Sequence, residues 1–285
     1  MVRWSAVPPS SVAPVNAAWS FGMVRSHAVG ALRTRFRELC DVVSKVTGVV
    51  FTPLHAETYR ELAEEIGAGT VGVAWMPPLL AIELEDLGLA TPLALPVRRD
   101  GTSYYAAFVS RDPRDKTIND LRGKRVAWVD KESAAGYLVP RMHLASLGMD
   151  PRTFFSRQTF AGSHIAAIDA VVSGAADVAA TFCTIDPASK RTVTAGWLAA
   201  DGAKVRDVEV VATVGPIPND AIVASTRVQA PVRTSLTRWL LSPDARSQDL
   251  LGELFQVRSF RTASSAHFDT LRHMVRAARS RGHDG

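Results

Sequence analysis

The sequence predicts an α/β protein of two similar lobes facing each other across a cleft, and three observations lead there. Residues 19–75 alternate strand-like and helix-like segments in the order βαβαβ. The same order returns over residues 125–182. An extended connector follows each copy, so the chain has a way to cross between lobes and return. At 285 residues it is long enough for two units of roughly 150 residues.

In chain order, a Pro- and Ser-rich lead (Pro8, Pro9, Ser10, Ser11, Pro14) fills 1–17 and residues 19–24 read as a strand. Residues 28–46 read as an amphipathic helix, because Leu32, Phe36, Leu39, Val43 and Val46 recur at spacings of three and four and Gly48 follows as a stop. A strand at 49–52, a helix at 58–66 and a strand at 71–75 complete the first copy. The second copy has strands at 125–129, 154–158 and 178–182 with helices at 136–147 and 165–172. An offset of 105 lays Tyr59 over His164, Gly69 over Gly174 and Phe21 over Val126, the pattern of a supersecondary repeat.

The first connector comprises 92–97, the turn Asp100-Gly101 and an aromatic, β-branched strand at 104–109. The second comprises 208–214, the stiff Pro216-Ile217-Pro218 and 221–224. If both cross between lobes, lobe 1 takes 18–103 and 217–285, lobe 2 is the inserted 104–216, and the connectors form the hinge.

A content of 47% hydrophobic and 21% charged residues excludes a disordered chain. Its uncharged stretches, such as 71–82, are too short and Pro-interrupted to embed in a membrane. The net charge of +5 favours anionic partners in general, but Arg272, Arg276, Arg279 and Arg281 crowd one final helix, where cations suit the helix dipole, and nucleic acid is not expected. Cys40 and Cys183 lack metal-ligand or redox spacing, so no metal or cofactor is expected. The first 16 residues have no apolar core and one basic residue, Arg3, so the chain as given is expected in the cytoplasm, or in the periplasm if its true start lies upstream.

Motifs of metalloproteases, P-loop proteins and serine hydrolases are missing. Gly67 to Gly72 matches GxGxxG, yet it follows a helix and opens a strand, the reverse of a dinucleotide site, and reads as a helix stop. Helix N-termini hold more promise, since their free amides and positive dipole end suit an anion. Two such starts follow predicted strands: 130–136 with Ser133, and 162–164 with Ser163 and His164. Each serine also suits a simple helix cap.

Gly101-Thr102-Ser103-Tyr104, Leu121 to Ala127, Ser133 to Pro140, Gly162-Ser163-His164 and Pro216 to Asp220 occur in an order and spacing that resembles the phosphate/phosphite/phosphonate substrate-binding proteins of ABC importers. The resemblance covers about residues 19–265 and implies a type 2 periplasmic-binding-protein fold: two lobes, each a mostly parallel sheet flanked by helices, with a hinge and an interlobe cleft. It implies a small anionic, phosphonate- or phosphate-like ligand and an importer permease as partner. Residue by residue, it implies that Tyr59 and Tyr104 approach the ligand from lobe 1 and the hinge, that Ser133 and His164 hold phosphonate oxygens, and that Asp220 faces a ligand amine. Ser163, Ala134 and Ala135 complete the implied site. The last two stand where the family shows hydroxyls, and a second acid of some members is replaced near Ile185. The alternatives are a cytosolic enzyme reusing the cleft, with His164 and Asp220 as acid and base, or an accessory or sensor protein with a changed ligand.

Overall fold

Two six-stranded sheets divide the chain in the computed structural model, which describes residues 18–24, 30–98, 101, 103–131, 133–186, 188–199 and 203–280. The lead at 1–17, Asp100, Arg281 and the side chain of Arg279 lie outside the described residues. The elements run β1 (Trp19–Val24), α1 (Ala31–Thr47), β2 (Phe51–Ala56), α2 (Tyr59–Ala68), β3 (Val71–Met76), α3 (Pro78–Asp86) and β4 (Ala90–Val97). There follow β5 (Ser103–Ser110), β6 (Arg125–Trp128), a π-helical turn Ala134–Leu138 running into α4 (Val139–Ser146), β7 (Arg157–Phe160), α5 (His164–Val172), β8 (Val178–Ile185), β9 (Thr192–Ala195) and β10 (Glu209–Pro218). The chain closes with β11 (Ala221–Ser225), α6 (Ala230–Leu241), α7 (Ala245–Phe255), β12 (Ser259–Thr262) and α8 (Asp269–Ser280).

The first sheet has the order β12-β4-β11-β3-β1-β2 and the second β10-β5-β8-β6-β7, with β9 added to the end of β8. In each, the central strand of a copy lies parallel to its two partners, β1 between β3 and β2 and β6 between β8 and β7, while the other three pairings are antiparallel. Each sheet is therefore mixed rather than mostly parallel, because the strands at and after the crossings run back against the copies. The chain crosses from the first sheet to the second between β4 and β5 and returns between β10 and β11. Asn219 ties these crossings together, its amide donating to the carbonyls of Pro96 (3.4 Å) and Gly101 (3.2 Å).

Burial explains which helices cover which face. Phe36 and Leu39 of α1, Leu236 of α6 and Leu251 of α7 pack on one face of the first sheet, where Trp75 stacks on Phe255. Leu62 and Ile66 of α2 and Ile82 of α3 cover the other face. That second cluster also takes in Val139 and Met142 of α4 and Leu271 of α8, so the apolar core is continuous between the sheets. Arg272 of α8, 8% exposed, pairs with Glu85 and Asp86 at the end of α3. Gly69 ends α2 in the left-handed conformation, and Gly72 leaves room for the Trp19 ring, which a Cβ would approach to 2.8 Å; the GxGxxG match is thus a helix stop followed by tight packing.

Two strand predictions need correction. The strand read at 154–158 falls at Arg157–Phe160, because Phe154 and Phe155 are buried in the preceding loop, edge-to-face with each other, and Phe155 is also edge-to-face with Trp128. The strand read at 49–52 runs instead over Phe51–Ala56 and through Pro53, which is tolerated because β2 is the edge of its sheet.

Candidate anion-binding cleft

The parallel strands β6 and β7 end at the same edge of the second sheet, and the turns after them define one wall. Ala161 and Gly162 donate their amides to the carbonyls of Trp128 and Val129 (both 2.8 Å), which carries the pairing past the strands and sets the two turns side by side. In the first turn Ser133 Oγ accepts from the Gly136 amide (3.0 Å), leaving its own proton to donate elsewhere. Gly136 has no alternative here, since a Cβ would lie 2.3 Å from Val129 Cγ2 and 2.8 Å from Ser133 Oγ. In the second turn Ser163 Oγ accepts from the Ala166 amide (3.1 Å) and caps α5.

His164 opens α5, half-buried, its Nδ1 3.1 Å from Thr181 Oγ1 and its ring edge-to-face with Phe182 at 4.9 Å. Burial holds its pKa below the ordinary 6.5, with the nearby Asp130 carboxylate opposing that shift, so the ring is neutral at pH 7.

The facing wall comes from the crossings. Tyr104 sits near the start of β5, and its phenol is pushed upward by burial and by the Asp220 carboxylate, with Arg98 pulling the other way. It therefore stays protonated and able to donate. Asp220, in the short link between β10 and β11, accepts from the Trp75 indole at 2.9 Å.

Between these walls lies a cavity of about 300 Å³. Of the eight residues singled out from the sequence, Tyr104, Ser133, Ala134, Ala135, His164 and Asp220 line it. Tyr59 does not, being packed against the two clusters on either face of the first sheet, and neither does the exposed Ser163. The lining adds Arg98, Gly101, Ser103, Phe182, Thr184 and Asn219. Two of these additions carry buried atoms with no hydrogen-bond partner among the described residues: Arg98 Nε and Thr184 Oγ1. Alternation along β8, which turns Phe182 and Thr184 to one face, is the signal that could have found Thr184. Arg98 has no comparable pattern around it.

Among the described residues no group of three His, Cys, Asp or Glu side chains is placed to hold a metal ion, and no helix is long and apolar enough to cross a membrane. Cys40 and Cys183 are both buried, which pushes each thiol up to about 12.

Residues 21–268 match the sequence profile of a family described as the ABC transporter, phosphonate, periplasmic substrate-binding protein. The chain belongs to this family. Its two helix-flanked sheets have the two-lobed architecture of periplasmic binding proteins. The phosphate-import protein PhnD of Mycolicibacterium smegmatis is 26% identical over 166 residues, which cover 54% of this chain and 51% of that protein. The match thus spans about half the length of that curated relative. XAC2383 from Xanthomonas citri, solved bound to ATP, superposes with a TM-score of 0.73 at 20% identity over 93% of this chain and 98% of that one. PhnD1 from Prochlorococcus marinus, solved with methylphosphonate, gives 0.60 at 18% identity over 92% and 98%. These two likenesses establish the shared fold.

Proposed function

We propose that this protein captures a small phosphonate- or phosphate-like anion in the periplasm by closing two lobes on it, and presents the closed form to the permease of an ABC importer. The observation that carries this reading is the convergence of Ser133, the helix start at Ala134 and Ala135, His164 and the Tyr104 phenol on one cavity between the sheets. Free amides at a helix start, a serine hydroxyl and an imidazole N–H are the donors an oxyanion needs. The moving bodies are 18–103 with 217–285 and the inserted 104–216, and they swing about the two crossings near 96–104 and 214–220. Ligand contacts from both walls favour the closed state over the open one.

Titration calorimetry with phosphate, phosphite and methylphosphonate tests the reading, backed by thermal melts. At a ligand concentration a hundredfold above Kd the folded state gains about 2.7 kcal/mol, a rise in Tm of roughly 5–10 °C. Heat and stabilisation with at least one of these anions, reduced in His164→Ala and Ser133→Ala, are expected. No response to any oxyanion discards the anion assignment.

A further inference from the structure

Resting on that site, we propose that its ligand carries two anionic groups: a phosphonate head on the helix starts of the second lobe, and a carboxylate-type group held by Arg98 and Thr184 at the hinge. The donors fall at two stations. One is the His164–Ser133 wall, which Phe182 touches through the His164 ring. The other lies two positions further along β8, about 7 Å by strand geometry. There Thr184 reaches the hinge end of the second sheet, next to Cys183, whose partner across the ladder is Tyr105.

Arg98 enters the same cavity from the end of β4, just before the first crossing. Among the described residues its Nε is buried with no partner, as is the hydroxyl of Thr184, which is only 7% exposed. Buried donors left unmade are costly, and a guanidinium matches a carboxylate in geometry and charge. Asp220 is the single carboxylate among the described lining residues, and the Trp75 indole already engages one of its oxygens. Unsatisfied donors therefore dominate at the hinge, and a ligand group that accepts suits them better than an ammonium.

Size agrees with charge. A cavity of about 300 Å³ equals roughly ten water volumes of about 30 Å³ each. A bare phosphate, with about five non-hydrogen atoms, fills near half of that. A phosphonate with a short carboxylated tail fills it.

The test is calorimetry with three probes on the full chain: methylphosphonate, 3-phosphonopropionate and 2-aminoethylphosphonate. 3-Phosphonopropionate is expected to bind at least tenfold tighter than methylphosphonate, and 2-aminoethylphosphonate no tighter. Arg98→Gln should bring the ratio of 3-phosphonopropionate to methylphosphonate close to one. Arg98→Lys should keep part of it, and Thr184→Val should lower it, with the unliganded Tm of each variant reporting its folding. A ratio unchanged in Arg98→Gln, or a preference for the ammonium ligand, overturns the proposal. Methylphosphonate binding with no gain from the carboxylate overturns it while leaving the anion site standing. Failure of all three probes to bind overturns both.

Discussion

Replacing Gly136 by alanine tests whether the anion site depends on a close backbone approach. The added Cβ would sit 2.3 Å from Val129 Cγ2 and 2.5 Å from Val129 Cβ. A rotamer change can move Cγ2 but not Cβ, and Val129 is 3% exposed, so the backbone after β6 must shift. Overpacking of this kind costs about 1–3 kcal/mol. The shift also strains the 3.0 Å cap from the Gly136 amide to Ser133 Oγ and the 3.2 Å bond from the Val129 amide to the Gly136 carbonyl. Losing the cap adds about 1 kcal/mol, and the better helix propensity of alanine returns up to about 1 kcal/mol. The net is about 1–3 kcal/mol, or a Tm lowered by roughly 3–10 °C. Because the same turn presents Ser133 and the first amides, loss of one hydrogen bond to a charged ligand, about 1.5–3 kcal/mol, weakens phosphonate binding roughly ten- to hundredfold.

Urea unfolding and calorimetry measure both effects. Gly123→Ala is the control: its φ of 75° is strained for alanine but a Cβ there meets open space, so it costs about 1–2 kcal/mol with affinity kept. Wild-type stability and affinity in Gly136→Ala would refute the packing argument. Equal loss of affinity in both variants would show that binding follows global stability instead.

His164→Ala removes one donor to the oxyanion and should weaken methylphosphonate binding about tenfold or more by calorimetry. Ala134→Thr with Ala135→Ser should tighten it by at least tenfold, and an unchanged Kd would show that the helix start no longer faces the ligand. Burial holds both His143 and His164 below 6.5, so the unfolded chain takes up protons first; stability is full above about pH 6.5 and falls as pH drops through the folded values. Thermal melts between pH 7.5 and 5 should show that decline, and His143→Gln with His164→Gln should flatten it. Arg272→Met leaves Glu85 and Asp86 without their shared partner and should cost about 2–3 kcal/mol in urea unfolding.

Much of the architecture was legible because it depends on local patterns that repeat. The offset of 105 carries 51–56 onto 156–161 and 59–68 onto 164–173, and the structure has β7 at Arg157–Phe160 and α5 at His164–Val172. Applied to the strand as read at 49–52 the same offset lands on 154–157, so the repeat shares one displacement in both copies. The apolar run Phe154-Phe155 serves loop packing, Phe155 against Trp128, and says nothing about strand register. The short α3 was not anticipated: Pro77 and Pro78 begin it without a side-chain cap, and its apolar residues form no clear stripe. Strands β9 and β12, four residues each, are defined by their partners on β8 and β4 more than by their own composition.

The sequence by itself determined the alternation of strands and helices, the two serine-capped helix starts and the order of motifs that marks the family, since each is set within a few residues along the chain. Only the tertiary structure decided which of those residues meet. It turned Tyr59 into packing between clusters, brought Asp220 under the Trp75 indole 145 positions away, and set Arg98 and Thr184 on the cavity with Nε and Oγ1 unpaired among the described residues. The physical reason is that a binding group is defined by what lies across the cleft from it, and that depends on where the chain crosses between the sheets.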